Sequence, residues 1–197
     1  MKVHKDVLVG VFFLILQLII SYATISSGNL YNFLWFCNHA PLLFGIAFLI
    51  KKHQLVKALI SFGFLGQLIW VLDFLAKLVF DTYLIGVTQY VFQLQGFGLT
   101  ATISAHVLST FLALYMTYKD PVKSNSLQVS LAYLVIIFGL SYLIVPSHLN
   151  VNCINYLCGF EELEIPFYTF LLPISAYIFM ILPTYYFQKF LYKISKK

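Results

Sequence analysis

An all-α, six-helix transmembrane bundle is the fold class this sequence predicts, and three observations predict it. The chain is 61% hydrophobic and only 10% charged, with a mean hydropathy of +0.89, whereas soluble domains run near 25% charged. Its apolar residues gather into six runs of about 18 residues or more, the length that crosses a hydrocarbon layer about 30 Å thick. All twelve basic residues are lysines, and they stand at the ends of those runs, where they act as topology signals. A soluble domain is thereby excluded. The same placement argues against a basic face for nucleic acid, leaving membrane lipids as the expected partners.

The first run, residues 7–25, follows Lys2 and Lys5. A positive start and an apolar core also describe a secretory signal peptide, but this stretch is long for one and its cleavage site is weak. A first transmembrane helix is the reading adopted. Run two, residues 30–50, ends on Lys51, Lys52 and His53, and run three covers residues 55–80. Residues 81–98 are less apolar, with Gln89, Gln93 and Gln95 among them. Tyr83, Leu84, Val87, Val91 and Leu94 recur there at helical spacing, as in an interfacial helix or a lid. The remaining runs are residues 99–118, 127–145 and 165–190, the last two separated by a polar segment rich in asparagine. Residues 1–197 read as a single integral membrane domain.

Six spans with a cytoplasmic N-terminus place eleven of the twelve lysines inside, all but Lys77. The same count puts Asp81, Glu161, Glu162 and Glu164 outside. The expected topology is N-in and C-in, in the cell membrane.

Asp73 lies in the third run, where a carboxylate costs about 2.5–3.5 kcal/mol on insertion scales and therefore needs partners. It stands about seven residues below the outer end of its helix, roughly 10 Å deep at 1.5 Å per residue. Cys37 and Asn38 on the second helix and His106 on the fourth fall at the same depth. Gly63, Gly66, Trp70 and Asp73 share one face, which predicts close approach of a neighbouring backbone. Thr102, His106, Ser109 and Thr110 make a polar stripe, and Cys37, Pro41 and Gly45 follow i, i+4, i+8. Above them lie His148, Asn150, Asn152 and Asn155.

Plainer readings compete with a functional one. A membrane cysteine often serves as a small apolar residue, and a His106–Asp73 pair also serves as glue between helices. Cys153 and Cys158 face an oxidising compartment on this topology, either as a local disulfide or unpaired. Cys37, His39, Asp73 and His106 have metal-ligand chemistry. However, successive residues of a helix point about 100° apart, so the set does not converge on one ion. No metal and no cofactor is expected.

The ordered set Cys37-Asn38, Trp70…Asp73, Ser104…His106 and Asn150-x-Asn152…Gly159 resembles an uncharacterised group of prokaryotic multi-pass membrane proteins. More distantly, the Cys-then-His order resembles the androgen-induced and androgen-dependent lipid hydrolases and a related intramembrane acyltransferase. Those are six-helix bundles with a Thr or Cys nucleophile on one helix and a histidine on a later one. The resemblance implies Cys37 as nucleophile and His106 as base.

The leading expectation is an enzyme of lipid acyl esters, a hydrolase or acyltransferase with its site in the outer leaflet. Cys37 attacks, His106 takes the proton, Asp73 orients the imidazole and Asn38 donates to an oxyanion. Trp70 walls the substrate site, and Asn150 and Asn152 cap it. Two alternatives stand beside it. One is a carrier or channel in which Asp73 and His106 relay protons or bind a cation. The other is a non-catalytic assembly partner.

Overall fold

The computed structural model describes residues 4–160, 162–163 and 165–197; Lys2, Glu161 and Glu164, which entered the expected sidedness, lie outside the described residues. The described chain is helical, without strands. Five helices are long and apolar enough to cross a membrane: α1 (Lys5–Ser26), α3 (His53–Phe80), α4 (Gly96–Thr117), α5 (Ser124–Ile144) and α6 (Tyr168–Ile194). Between the first two lies α2 (Phe36–Leu49), apolar but only 14 residues long, about 21 Å against the ~30 Å of hydrocarbon. Trp35 takes an extended backbone between α2 and a 3-10 turn at Leu30–Leu34. The second run read from the sequence is thus broken in two, which leaves five full-length spans and one shorter helix.

Ring and hydrogen-bond contacts fix the directions. Phe13 packs on Phe48 while Gln17 reaches Asn38, Phe36 packs on Phe62 while Phe48 meets His53, and Trp70 stacks on His106 while Phe64 meets Phe111, so α1 to α4 alternate in direction. Ser130 donates to the Ala58 carbonyl, which sets α5 parallel to α3. Gln188 donates to that of Lys57, which sets α6 antiparallel. The described lysines other than Lys77 consequently gather at one end. There His53 joins three segments, with Nδ1 2.7 Å from Asp120 Oδ2 and Nε2 3.3 Å from Asp6 Oδ1.

Close helix contact depends on small residues. A Cβ added to Gly10 or Gly45 would come within 3.1 Å of the other's carbonyl oxygen, so α1 and α2 cross backbone to backbone. The stripe on α3 works differently from expectation. Gly63 receives the ring of Phe36 and Gly66 faces the Met180 methyl, so side chains rather than a backbone fill the space.

Gln17 mends α2. Pro41 has no N–H to give, and it weakens the ladder where α2 begins. The Gln17 carboxamide donates to the Asn38 carbonyl at 2.8 Å and accepts from the Leu42 N–H at 3.0 Å. These are the two groups an uninterrupted helix joins directly. Helix α3 is the most buried span and touches α2, α4, α5 and α6. Leu18, Leu143 and Phe179 lie on outward faces, as lipid-facing residues do. Two spans contain a π-helical turn, α4 at Ser104–Leu108 and α6 at Tyr177–Ile181, and both turns pack against α3. Such turns recur at functional sites because they re-aim side chains.

Candidate functional site

At the end opposite the lysine cluster, α3 continues past Asp73 and its chain folds back over it. Asp73 is 0% exposed. Its Oδ1 accepts from the N–H groups of Leu84, Ile85 and Gly86 at 2.8, 2.8 and 3.1 Å. Its Oδ2 accepts from the Thr88 N–H at 3.0 Å and the Thr88 hydroxyl at 2.7 Å. Asp73 is thus the anchor of the 81–95 loop. Both oxygens are taken, and the expected Asp73–His106 hydrogen bond is not formed. The physical reason is proximity in the chain: backbone donors 11 to 15 residues on reach the carboxylate first.

That loop was expected as an interfacial helix or a lid. It is irregular apart from a 3-10 turn at Gln89–Gln93, and it lies against the outer part of α3. Phe92 stacks on Phe74, and Lys77 sits over the Tyr83 ring. Tyr90 points its hydroxyl inward, where it accepts from Trp70 Nε1 at 3.2 Å, while its ring is 45% exposed. Burial of that hydroxyl, with the Cys37 sulfur nearby adding to it, holds the Tyr90 phenol above its ordinary range. It stays protonated, with its own hydrogen available to donate.

Trp70 also stacks on His106, rings 3.9 Å apart and 8° from parallel. His106 is delivered by the π-helical turn of α4, and α2 packs against that turn. Ala105, beside His106, belongs to the same packed core as Cys37, Phe36 and Phe64. Cys37 is the free cysteine, 8% exposed, one residue into α2. Its thiol donates to Asn38 Oδ1 at 3.6 Å. No hydrogen bond joins Cys37 to His106 among the described residues. Tyr90, Trp70 and His106 nonetheless form a continuous chain of neighbours, and α2, which carries Cys37, packs against the turn that carries His106.

The chain matches no family model, no curated protein and no solved structure. Its own geometry has to carry the functional reading.

The other expected site residues are placed as follows. Asn38 gives its amide N–H to the Asn32 carbonyl at 2.8 Å, so it braces the 3-10 lead-in rather than aiming at an oxyanion. Asn150 folds its own loop, accepting from the Asn155 and Tyr156 N–H groups and donating to the Tyr156 carbonyl. Asn152 donates to the Leu34 carbonyl and to Ser141 Oγ, both at 2.8 Å, and ties that loop to α5. Both asparagines bind protein at the roof of the bundle. Cys153 and Cys158 are joined as a disulfide in that loop. Gly159 follows at φ +81°, where a Cβ would come within 2.6 Å of the Ile85 carbonyl, so the two outer loops interlock through a glycine. Among the described residues no three His, Cys, Asp or Glu side chains are grouped to hold a metal ion.

Tyr90 was not singled out by its sequence context, and His39 entered only in a metal-ligand set that does not converge. Tyr90 sits in a loop with no motif. His39 binds the Tyr133 hydroxyl through Nε2 and the Phe33 carbonyl through Nδ1, at 2.7 Å for the latter. A carbonyl only accepts, so the His39 proton is on Nδ1.

Proposed function

We propose that this protein is a cell-membrane enzyme of lipid acyl esters, a hydrolase or acyltransferase working from the outer leaflet, with the lysine-rich end in the cytoplasm. The observation that supports it is the chain Tyr90, Trp70 and His106 beneath a loop anchored on Asp73, with the Cys37 helix packed against the turn that carries His106. A buried thiol is inert without a base and a polar neighbour; in this proposal His106, on the turn packed against α2, is the base, and Asn38 Oδ1 is the polar neighbour. Lipids reach it by lateral entry from the bilayer, past the half-exposed Tyr90 ring.

In the reaction, His106 takes the Cys37 proton and the sulfur attacks the ester carbonyl carbon. Tyr90 donates its hydrogen bond to the oxyanion, polarised by the N–H it accepts from Trp70. The carbonyl re-forms as the bond between the acyl carbon and the alkoxy oxygen breaks, and the departing lipid alcohol takes the proton back from the imidazolium. Water or a second lipid alcohol then attacks the thioester and restores the thiol. Asp73 works at one remove, holding the loop that carries Tyr90.

A second reading is favoured by one observation. Lys57 Nζ and Gln188 Oε1, near the lysine-rich end, are buried without a protein partner, like Gln67 Oε1 further along α3 and His106 Nδ1 and Thr110 Oγ1 on α4. Such a series suits a proton or cation path. Phospholipid turnover in reconstituted vesicles separates the two. The enzyme reading expects Cys37→Ser to reduce turnover at least about a hundredfold, because the neutral hydroxyl is a far weaker nucleophile. Vesicle proton flux that survives Cys37→Ser, with no lipid turnover in the wild type, would favour the path.

A further inference from the structure

Three buried polar atoms around the Trp70–His106 stack lack a hydrogen-bond partner in the protein: His106 Nδ1, Thr110 Oγ1 and Gln67 Oε1. Their residues are 7%, 0% and 6% exposed. A polar atom buried in hydrocarbon keeps its full desolvation penalty unless something bonds to it, so each demands a partner.

Helix geometry brings the three together. The stacked rings of Trp70 and His106 lock α3 and α4 in register at this level. Gln67 is three residues below Trp70 and Thr110 four below His106, about 4.5 and 6 Å toward the lysine-rich end. The helices are antiparallel, so both counts run the same way. At 100° per residue Gln67 falls about 60° from Trp70, and Thr110 comes about one turn after His106 across the wider π-helical turn, so both stay on the facing sides.

We propose that one buried water is bound here and fixes the histidine tautomer. Its oxygen accepts from His106 Nδ1–H, and its two hydrogens go to Gln67 Oε1 and Thr110 Oγ1. Three bonds are what a buried water typically makes. With the proton on Nδ1, the lone pair is on Nε2, the form a general base needs. Gln67 acts through the water as a positioning residue, in the role the sequence assigned to Asp73. The water rests on packing alone, and its use in catalysis rests on the acyl-transfer reading.

The test is nitrogen NMR of the full chain in lipid vesicles with 15N-labelled histidine, since the ring shifts report the tautomer. His39 is an internal standard for the Nδ1–H form, and the His106 signal is assigned by its loss in His106→Gln. The wild type should show His106 as Nδ1–H. Gln67→Met, which keeps length and removes the acceptor, should move it toward Nε2–H, as should Thr110→Val. Gln67→Glu should preserve it. Turnover should fall about tenfold to a hundredfold in Gln67→Met and be restored in Gln67→Glu. An Nε2–H tautomer in the wild type, or no response in both Gln67→Met and Thr110→Val, overturns the water. Full turnover in Cys37→Ala beside a responsive tautomer overturns acyl transfer and leaves the water standing.

Discussion

Asp73 carries the largest local consequence of any single side chain. Five donors converge on its two oxygens, four of them backbone N–H groups of residues 84–88. Charged acceptors make the strong hydrogen bonds. In Asp73→Asn the amide turns a donor toward groups that are themselves donors, so the loop should lose on the order of 2–3 kcal/mol of local stability. Hydrogen exchange at Leu84–Thr88 should rise by one to two orders of magnitude while exchange in α1 and α2 stays unchanged. Slow exchange in both loop and helices would contradict the anchor. The sequence made Asp73 visible, because a carboxylate amid hydrocarbon demands partners. It hid which partners, because backbone amides have no side-chain signature. His106 was legible through the depth it shares with Asp73 and Cys37, and Trp70 through the face it shares with Asp73; their stacking belongs to the packing of α3 on α4 and had no sequence signal.

Helical spans are legible because a membrane imposes length and apolarity on them. Runs 7–25, 55–80, 99–118, 127–145 and 165–190 correspond to α1, α3, α4, α5 and α6. Their interruptions depend on tertiary partners and leave little trace in composition. Trp35 breaks the second run where Asn38 and Asn152 bind carbonyls of the 3-10 turn, at Asn32 and Leu34. Gln17 completes α2 from a neighbouring helix, a role no reading of α2 alone reveals. The π-helical turns were equally silent, although one of them presents His106. The disulfide between Cys153 and Cys158, left open by spacing, is formed in the structure.

For the molecule as a whole, one end holds the described lysines other than Lys77 and the His53 cluster, and the other holds the disulfide loop and the Asp73-anchored loop. The proposed topology puts the first end in the cytoplasm, as the positive-inside rule prefers, and the second outside, where a disulfide finds an oxidising compartment. Single cysteines introduced at Lys52 and Asn155 in a Cys37→Ala background test this with impermeant thiol reagents on intact cells. Labelling is expected at position 155 and not at 52, and the reverse pattern would move the site to the inner leaflet.

The central claim is that Cys37 carries an acyl group during turnover. The most direct measurement is intact-protein mass spectrometry after incubating the reconstituted protein with phospholipid and quenching in acid. Acyl transfer predicts a mass increase of one fatty acyl chain, mapped to Cys37, removed by neutral hydroxylamine and lost in Cys37→Ala. His106→Gln should slow its appearance by about a hundredfold or more. A wild-type protein that turns lipid over without any acyl adduct, or whose adduct survives Cys37→Ala, would contradict the account.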